Sequence, residues 1–330
     1  MDKYLAFAYV LIIGVSLIIS MVLLPLPEQE NGEETPPEPP RNGVLLFSVV
    51  TDSHTDSTIR SDLYRHLALS YLETVSKDSK AAGAEFIVHL GDLIDANPRD
   101  MSVDIYINRI LSSRQALEKS GLPVYYVIGN HELRPAVGTK TLAKQWLGLS
   151  NSYYSFDIGG FHFIVLDCFN YEGDEVSGSD ETWESSRFLI YSEEKAWLEN
   201  ELARTNKPTI VFVHVPLSGM FEPYTPDGST YNRVINAPEI RELFENSRKV
   251  IAVFEGHYHN PHTEVITTDS YTWKEGNVPY IGLYSVVDID DIGTWALVEV
   301  NYNEKTLTVK VFGAKPHVWT FSWNYFSVGG

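Results

Sequence analysis

Residues 44–54 have the sequence VLLFSVVTDSH, which joins an apolar run to an aspartate and a histidine. An apolar run of this length is typical of a strand that is covered on both faces of its sheet. Asp52 and His54 are two residues apart, so on an extended chain their side chains project to the same side. A carboxylate and an imidazole placed in this way can bind one cation. The stretch therefore predicts a buried strand that ends at a pair of metal ligands.

The same pattern recurs along the chain. Apolar runs typical of buried strands occupy residues 44–50, 85–90, 123–128, 161–167, 209–214 and 249–254. Helices are expected between them, at 58–81, 101–120, 139–148, 193–204 and 237–247. After residue 260 only strands are expected, at 263–268, 279–286, 294–301 and 305–312. Alternating strands and helices predict an α/β fold with a largely parallel sheet.

Polar residues suited to metal binding, to proton transfer or to the support of such groups follow the ends of several of these runs. They are Asp92 and Asp95 after the second run, Asn130, His131 and Glu132 after the third, His214 at the end of the fifth, and His257 and His259 after the sixth. Because loops at one edge of an α/β sheet converge on a single crevice, we expect these side chains to lie together. Each motif is weakly specific by itself, but their ordered recurrence at strand ends predicts a metal site.

Composition limits the chemistry of that site. The 330 residues include a single cysteine, Cys168, which excludes an intrachain disulfide and a thiolate metal cluster. The formal net charge of −19 argues against nucleic acid as a partner, because phosphate backbones bind clustered Lys and Arg. Nitrogen and oxygen ligands alone suit Mn, Fe, Co or Zn, and the sequence does not choose among them.

The N-terminal residues are expected to lie outside the folded domain. Residues 4–24 form an uncharged apolar run, long enough for the about 20 residues that a helix needs to cross a bilayer. A cleaved signal peptide is the competing interpretation, but no small-residue cleavage site follows the run. Lys3 precedes the run and acidic residues follow it, which places the N-terminus in the cytoplasm. We therefore expect a single-pass anchor in residues 1–27, a Pro- and Glu-rich linker in 28–41 and an extracytoplasmic domain in 42–330.

Five blocks in this order closely resemble the signature of the calcineurin-like metallophosphoesterase superfamily. The blocks are D-x-H at 52–54, GD at 91–92, GNHE at 129–132, His214, and GHYH at 256–259. The resemblance implies an α/β fold arranged as a four-layer αββα sandwich with two mixed central sheets. The strands expected after residue 260 fit a second sheet that completes that sandwich.

The resemblance also implies two divalent metal ions. One would be bound by Asp52, His54, Asp92 and His259, and the other by Asp92, Asn130, His214 and His257. A hydroxide that bridges the ions would attack phosphorus, with His131 as the acid for the leaving oxygen or as a hydrogen-bond donor to the phosphoryl group. Glu132 would orient His131, and Asp95 would either do the same or cap a helix near 96–101.

The expected function is a membrane-anchored phosphoesterase that hydrolyses small anionic phosphate esters. Small phosphodiesters are the first expectation for its substrate, and phosphomonoesters are the alternative. A third possibility is a surface module that keeps the fold for binding without catalysis. Since every motif position is occupied in this sequence, an active enzyme is favoured over such a module.

Overall fold

The computed structural model describes residues 43–55, 67–95, 101–133, 137–169, 188–219, 234–257, 270–286, 293–313 and 316–323. The chain divides into two compact units, Met1–Pro36 and Pro37–Gly330, and every described residue belongs to the second unit. The membrane helix expected at 4–24 and the linker expected at 28–41 lie outside the described residues. Among the residues that are described, no helix is both long and apolar enough to cross a membrane.

The described residues form twelve strands and six helices. The strands are β1 (Val44–Val50), β2 (Ile87–His89), β3 (Val124–Tyr126), β4 (Tyr154–Ile158), β5 (Phe161–Val165), β6 (Thr209–Val213), β7 (Val250–Glu255), β8 (Ser270–Glu275), β9 (Val278–Leu283), β10 (Trp295–Asn301), β11 (Thr306–Phe312) and β12 (His317–Ser322). The helices are α1 (Ala68–Ala81), α2 (Val103–Leu117), α3 (Asn130–Leu133), α4 (Lys140–Leu147), α5 (Ser192–Arg204) and α6 (Ala237–Ser247).

The strands form two six-stranded mixed sheets, which confirms the α/β class. The first sheet has the order β12-β11-β10-β1-β2-β3, with β1, β2 and β3 parallel. The second has the order β4-β5-β6-β7-β9-β8, with β5, β6, β7 and β9 parallel. The late strands divide between the two sheets, whereas they were expected to belong to one second sheet. Strands β8 and β9 join the second sheet, whereas β10 pairs antiparallel with β1 in the first.

The two sheets pack face to face around an aromatic core. Alternate residues of β1 point into it, and the ring of Phe47 lies 5.7 Å from that of Phe163, 5.9 Å from Phe212 and 6.0 Å from Phe254, all in the second sheet. On the outer faces, α1 packs on β1 and α6 packs on β7. This arrangement is consistent with the four-layer sandwich.

Candidate metal centre

Backbone hydrogen bonds that continue beyond the ends of β1 and β2 bring the first two motifs together. The N–H of Asp52 donates to the carbonyl of Gly91, and the N–H of His54 donates to the carbonyl of Asp92, each at 3.0 Å. The Nε2 atom of His54 consequently lies 3.6 Å from Oδ1 of Asp52 and 3.6 Å from Oδ2 of Asp92. All three side chains are buried. Two carboxylates and an imidazole from loops distant in sequence therefore face one another.

Several of the predicted ligands have a left-handed backbone conformation. The φ angle is 52° at Asp52, 43° at His54, 54° at Asp92 and 67° at His257. For a residue that has a Cβ, this conformation costs about 1–3 kcal/mol and persists only where the surroundings impose it. Four such residues converge at the same edge of the fold, which is the pattern expected of a functional site.

Two motif glycines let these loops touch. A Cβ at Gly129 would overlap the backbone nitrogen and Oδ1 of Asp92, and one at Gly256 would overlap Oγ1 of Thr51. Since neither neighbour is the free end of a long side chain, neither can move aside. The glycines before Asn130 and His257 are thus required by the close approach of the backbone segments.

Asp92 lies at the centre of the cluster. Its Oδ1 accepts the backbone N–H of His131 at 2.7 Å. Its Oδ2 lies 3.4 Å from Nε2 of His214, 3.6 Å from Nε2 of His54 and 3.9 Å from Nε2 of His131. No described residue donates a hydrogen bond to this buried Oδ2. A buried anionic oxygen surrounded by imidazole nitrogens suits a bound cation.

The pKa values of the cluster reflect its charges. Burial opposes ionisation of Asp92, but the neighbouring His214 and His131 hold the pKa of its carboxyl well below the usual value. Burial likewise opposes protonation of His214, but the carboxylates of Asp92 and Asp52 outweigh it and raise its pKa to about 9. The carboxylates thus favour a positive charge here, whether a proton or a metal ion supplies it.

His214, Asn130 and His257 form the other side of the cluster. The Nδ1 atom of His214 is 2.8 Å from the carbonyl of Leu90, and its Nε2 is 3.0 Å from Oδ1 of Asn130. When Nδ1 carries the proton and donates it to that carbonyl, Nε2 is free to bind a cation. The ring of His257 lies 5.1 Å from that of His214, and its backbone N–H donates to Oδ2 of Asp52 at 2.9 Å.

Two sets of potential ligands result. His54, Asp92 and His131 form one set, and Asp92, His214 and His257 form the other, with the donor atoms of each set within 4.8 Å of one another. Asp92 belongs to both sets, so the arrangement fits two cations that share its carboxylate. His259 lies outside the described residues, so its position relative to these sets is not defined.

The two acidic residues expected near His131 take different positions. Oδ1 of Asp95 lies 3.5 Å from Nδ1 of His131. The helix near 96–101 that Asp95 was predicted to cap lies mostly outside the described residues, and α2, which begins at Val103, is capped by Ser102, whose side chain accepts the N–H of Ile105. Glu132 binds the backbone: its carboxylate accepts N–H groups from Gly129, Asp92, Leu93 and Ile94, at 2.7 to 3.3 Å.

The environment of Glu132 differs from that expected of a group that orients an imidazole. Burial and the charge of Asp92 raise its pKa to about 7, against the opposing effect of its backbone hydrogen bonds. Its Oε2 accepts an amide from each of the two loops that carry Asp92 and Asn130, and its Oε1 accepts two more from the Asp92 loop. Glu132 therefore holds these loops together, and of these two acids it is Asp95 whose carboxylate faces the His131 ring.

Sequence reasoning missed one buried acid next to the site. Glu255 is the last residue of β7 and is fully buried, and it accepts the N–H groups of Leu217 and Ser218 at 2.8 and 2.7 Å. The feature of the sequence that could have identified Glu255 is a charged residue at the end of an apolar strand, just before Gly256.

His89, by contrast, is a structural histidine. It is buried and hydrogen-bonded through Nε2 to Ser53, and burial lowers its pKa to about 3.

The sequence matches known proteins over the region that forms this site. A sequence model described as "Calcineurin-like phosphoesterase" matches residues 45–261. A curated relative, the serine/threonine-protein phosphatase CPPED1 of Bos taurus, is 27% identical over 186 residues, which are 53% of this chain and 53% of that protein. The chain thus spans about half the length of this curated relative.

Solved structures share the fold. A dimetal phosphatase from Danio rerio has a TM-score of 0.64 at 15% identity and covers 85% of this chain and 99% of its own. Purple acid phosphatase PPD1 from yellow lupin has a TM-score of 0.58 at 17% identity and covers 87% of this chain and 55% of its own. At these identities the likeness concerns the fold alone.

Proposed function

Because the chain belongs to the calcineurin-like phosphoesterase family, we propose that it hydrolyses phosphate esters with the help of two divalent metal ions. The observation that carries the proposal is the position of Asp92, whose buried carboxylate belongs to both sets of potential metal ligands. A shared carboxylate between two ligand sets is what a binuclear phosphoesterase requires.

The roles of the ligands follow the motif order. Asp52, His54, Asp92 and His259 would hold one ion, and Asp92, Asn130, His214 and His257 would hold the other. When bound, the ions would supply Lewis-acid stabilisation of the phosphoryl oxygens and lower the pKa of a water molecule. The two positive centres would also attract an anionic substrate to a chain whose formal net charge is −19.

His131 is suited to donate a proton to the leaving oxygen. Its Nδ1 faces the carboxylate of Asp95 at 3.5 Å, which leaves Nε2 as the nitrogen turned toward Asp92. An ester oxygen expelled as an alkoxide needs a proton, and a positioned imidazole can provide it. Asp95 would fix the orientation of the ring through this contact. Donation of a hydrogen bond to the phosphoryl group is the alternative role for the same nitrogen.

Two substrate classes remain candidates. Small phosphodiesters are the expectation from the sequence. Phosphomonoesters are favoured by the name of the matched relative, since a serine/threonine-protein phosphatase acts on monoesters of serine and threonine. Both classes present an anionic phosphoryl group, so the same metal ligands can serve either one.

A substrate panel tests the function. We expect the purified chain, supplied with Mn²⁺, to hydrolyse bis-p-nitrophenyl phosphate or p-nitrophenyl phosphate, and a chelator to stop the reaction. The ratio of the two kcat/KM values identifies the substrate class. Absence of metal-dependent turnover with both compounds, in a preparation shown to bind metal, would favour the binding module over the enzyme.

We also propose that residues 4–24 anchor the chain in a membrane, with residues 42–330 outside the cytoplasm. The support is the uncharged apolar run, the preceding Lys3 and the acidic segment that follows. Expressed in cells, the full chain should stay in the membrane pellet after carbonate extraction, and a variant lacking residues 1–27 should not. Protease added outside intact cells should degrade the domain, and protection from that protease would refute the proposed orientation.

A further inference from the structure

Glu255 links the segments that carry two of the proposed ligands. It ends β7 and is followed directly by Gly256 and His257. Its Oε1 atom accepts two backbone N–H groups, those of Leu217 at 2.8 Å and Ser218 at 2.7 Å. Leu217 and Ser218 follow His214 along the chain by three and four residues. One buried carboxylate oxygen therefore holds the loop after His214 against the strand that leads to His257.

Other bonds make this junction rigid. The N–H of Gly256 donates to the carbonyl of His214 at 3.0 Å, so the backbones of the two ligand segments are joined directly. Nη1 of Arg241 donates to the carbonyl of Leu217 at 2.7 Å and holds the same loop from α6. Glu255 thus binds the N–H groups of this loop, and Arg241 binds one of its carbonyl groups. Both side chains are buried.

We propose that Glu255 is a positioning residue for the metal ion that His214 and His257 would bind. Removing its carboxylate would leave two buried N–H groups without this acceptor, and the loop after His214 would move to find other partners. That movement would separate His214 from His257. The inference rests on the proposed function only in assuming that a divalent ion binds these two side chains.

Glu245 provides a matched control. Its Oε1 accepts two backbone N–H groups in the same way, those of Asn277 at 3.0 Å and Val278 at 3.1 Å. These amides lie at the start of β9, whereas the site lies beyond the C-terminal ends of the strands. Loss of the Glu245 carboxylate therefore removes the same kind of contact without touching the ligand segments.

The test measures metal binding and does not depend on turnover. The metal-free chain is titrated with Mn²⁺ in a calorimeter, and thermal unfolding of each variant is recorded without metal. We expect Glu255→Ala to weaken the binding of one of two ions by about 10–100-fold, the usual effect of losing a group that orients metal ligands. Glu255→Gln keeps an oxygen that can accept both N–H groups, so it should bind at least tenfold more tightly than Glu255→Ala. Glu245→Ala should bind both ions as the unmodified chain does.

The outcomes separate the two proposals. If the unmodified chain binds no divalent ion, the proposed function fails, and with it the premise of this inference. If it binds two ions and Glu255→Ala binds them equally well, only the role of Glu255 is overturned. Equal weakening in Glu255→Ala and Glu245→Ala would show a general effect on stability and would also overturn it. If Glu255→Ala does not fold, Glu255→Asp replaces it in the comparison. Its shorter side chain should weaken the binding of one ion more than Glu255→Gln does.

Discussion

The carboxylate of Asp92 has a defined position because backbone groups hold it from two sides. Its Oδ1 accepts the N–H of His131, and the loop with Gly129 passes directly against it. The other oxygen, Oδ2, is thereby directed at the imidazoles of His54 and His214. The strained φ of 54° at Asp92 is stabilised by the same contacts. The site is therefore formed by main-chain geometry as much as by the identity of its side chains.

Substitution of Gly129 tests this dependence on backbone packing. We expect Gly129→Ala to displace Asp92, abolish the binding of both metal ions and destabilise the domain by about 1–3 kcal/mol, as overpacking of a filled interior does. Metal titration and chemical denaturation measure the two effects. Gly121→Ala is the control: Gly121 has a φ of +76°, but a Cβ there would meet only an ordinary van der Waals contact, with Lys80 Nζ at 4.0 Å. The control should lose some stability and keep both ions, and equal metal binding by both variants would contradict the argument.

His131 can be distinguished from a metal ligand by experiment. If it is the proposed proton donor for the leaving group, it should contribute about 10²–10⁴-fold to turnover, so His131→Ala should lose that factor while it keeps two bound ions. The losses should be smaller for substrates with acidic leaving groups, which depart without a proton. Because His131 also lies in one of the two potential ligand sets, the metal content of the variant decides between the roles. Loss of one ion would assign His131 to metal binding.

At the scale of elements, a cluster of charges joins the β4–β5 hairpin to α5. Nδ1 of His162 lies 2.7 Å from Oδ1 of Asp157, and its Nε2 lies 3.4 Å from Oε2 of Glu201. Lys207 completes the cluster with an ion pair of 2.6 Å to Asp157. Burial opposes a charge on His162, but the two carboxylates outweigh it and raise its pKa above the ordinary 6.5. The cluster therefore favours a protonated His162 in the folded chain.

The stability of this junction should depend on pH. A histidine whose pKa is raised by folding contributes stability that is fully present below about pH 6.5 and is lost as the pH rises through the folded value. Thermal unfolding should accordingly show the native chain losing stability as the pH rises above about 6.5, and His162→Gln should show a flatter profile. His317→Gln, which changes a histidine of the edge strand β12, serves as the control. Parallel profiles for the native chain and His162→Gln would contradict this role for the cluster.

The sequence predicts the elements that bear strong hydrophobic patterns and misses those that do not. The expectations for β1 at 44–50 and α6 at 237–247 agree with the structure residue for residue. The strands β4 and β12 were not expected, because their side chains are half-buried or exposed and their sequences YSFDI and HVWTFS lack an apolar run. The strand expected at 263–268 lies outside the described residues, and the next strand is β8, at 270–275.

The candidate site was predictable in its members but not in its internal contacts. Motif spacing identifies Asp52, Asp92 and His214, since each follows a strand of a parallel region. It does not reveal that Glu132 binds four backbone amides, because such bonds depend on loop conformations with no sequence signature. The same holds for Glu255. In the sequence it is an isolated charge at the end of an apolar strand, and only the structure shows that the loop after His214 packs against it.

In the domain as a whole, segments from both sheets converge on the site, at the end of the fold where the strands that carry the motifs end. Strands β1, β2 and β3 supply the first three motifs from one sheet, and β6 and β7 supply the last two from the other. The aromatic core around Phe47 holds the sheets face to face. The site therefore forms only when both sheets are assembled, which couples metal binding to the stability of the entire domain.

Metal removal measures this coupling. Without bound ions the buried carboxylates of Asp52 and Asp92 lie close together without the positive charge of a metal ion, so the metal-free domain should unfold at a lower temperature. Mn²⁺ at about 100 times its Kd should stabilise the fold by roughly 2.7 kcal/mol for each site that binds only the native state. Calorimetric scans across a Mn²⁺ series measure the shift. In Asp92→Asn the amide can still accept the N–H of His131, but the shared negative charge is lost, so the shift should largely disappear. An equal shift in that variant would place the stabilising ions elsewhere in the chain.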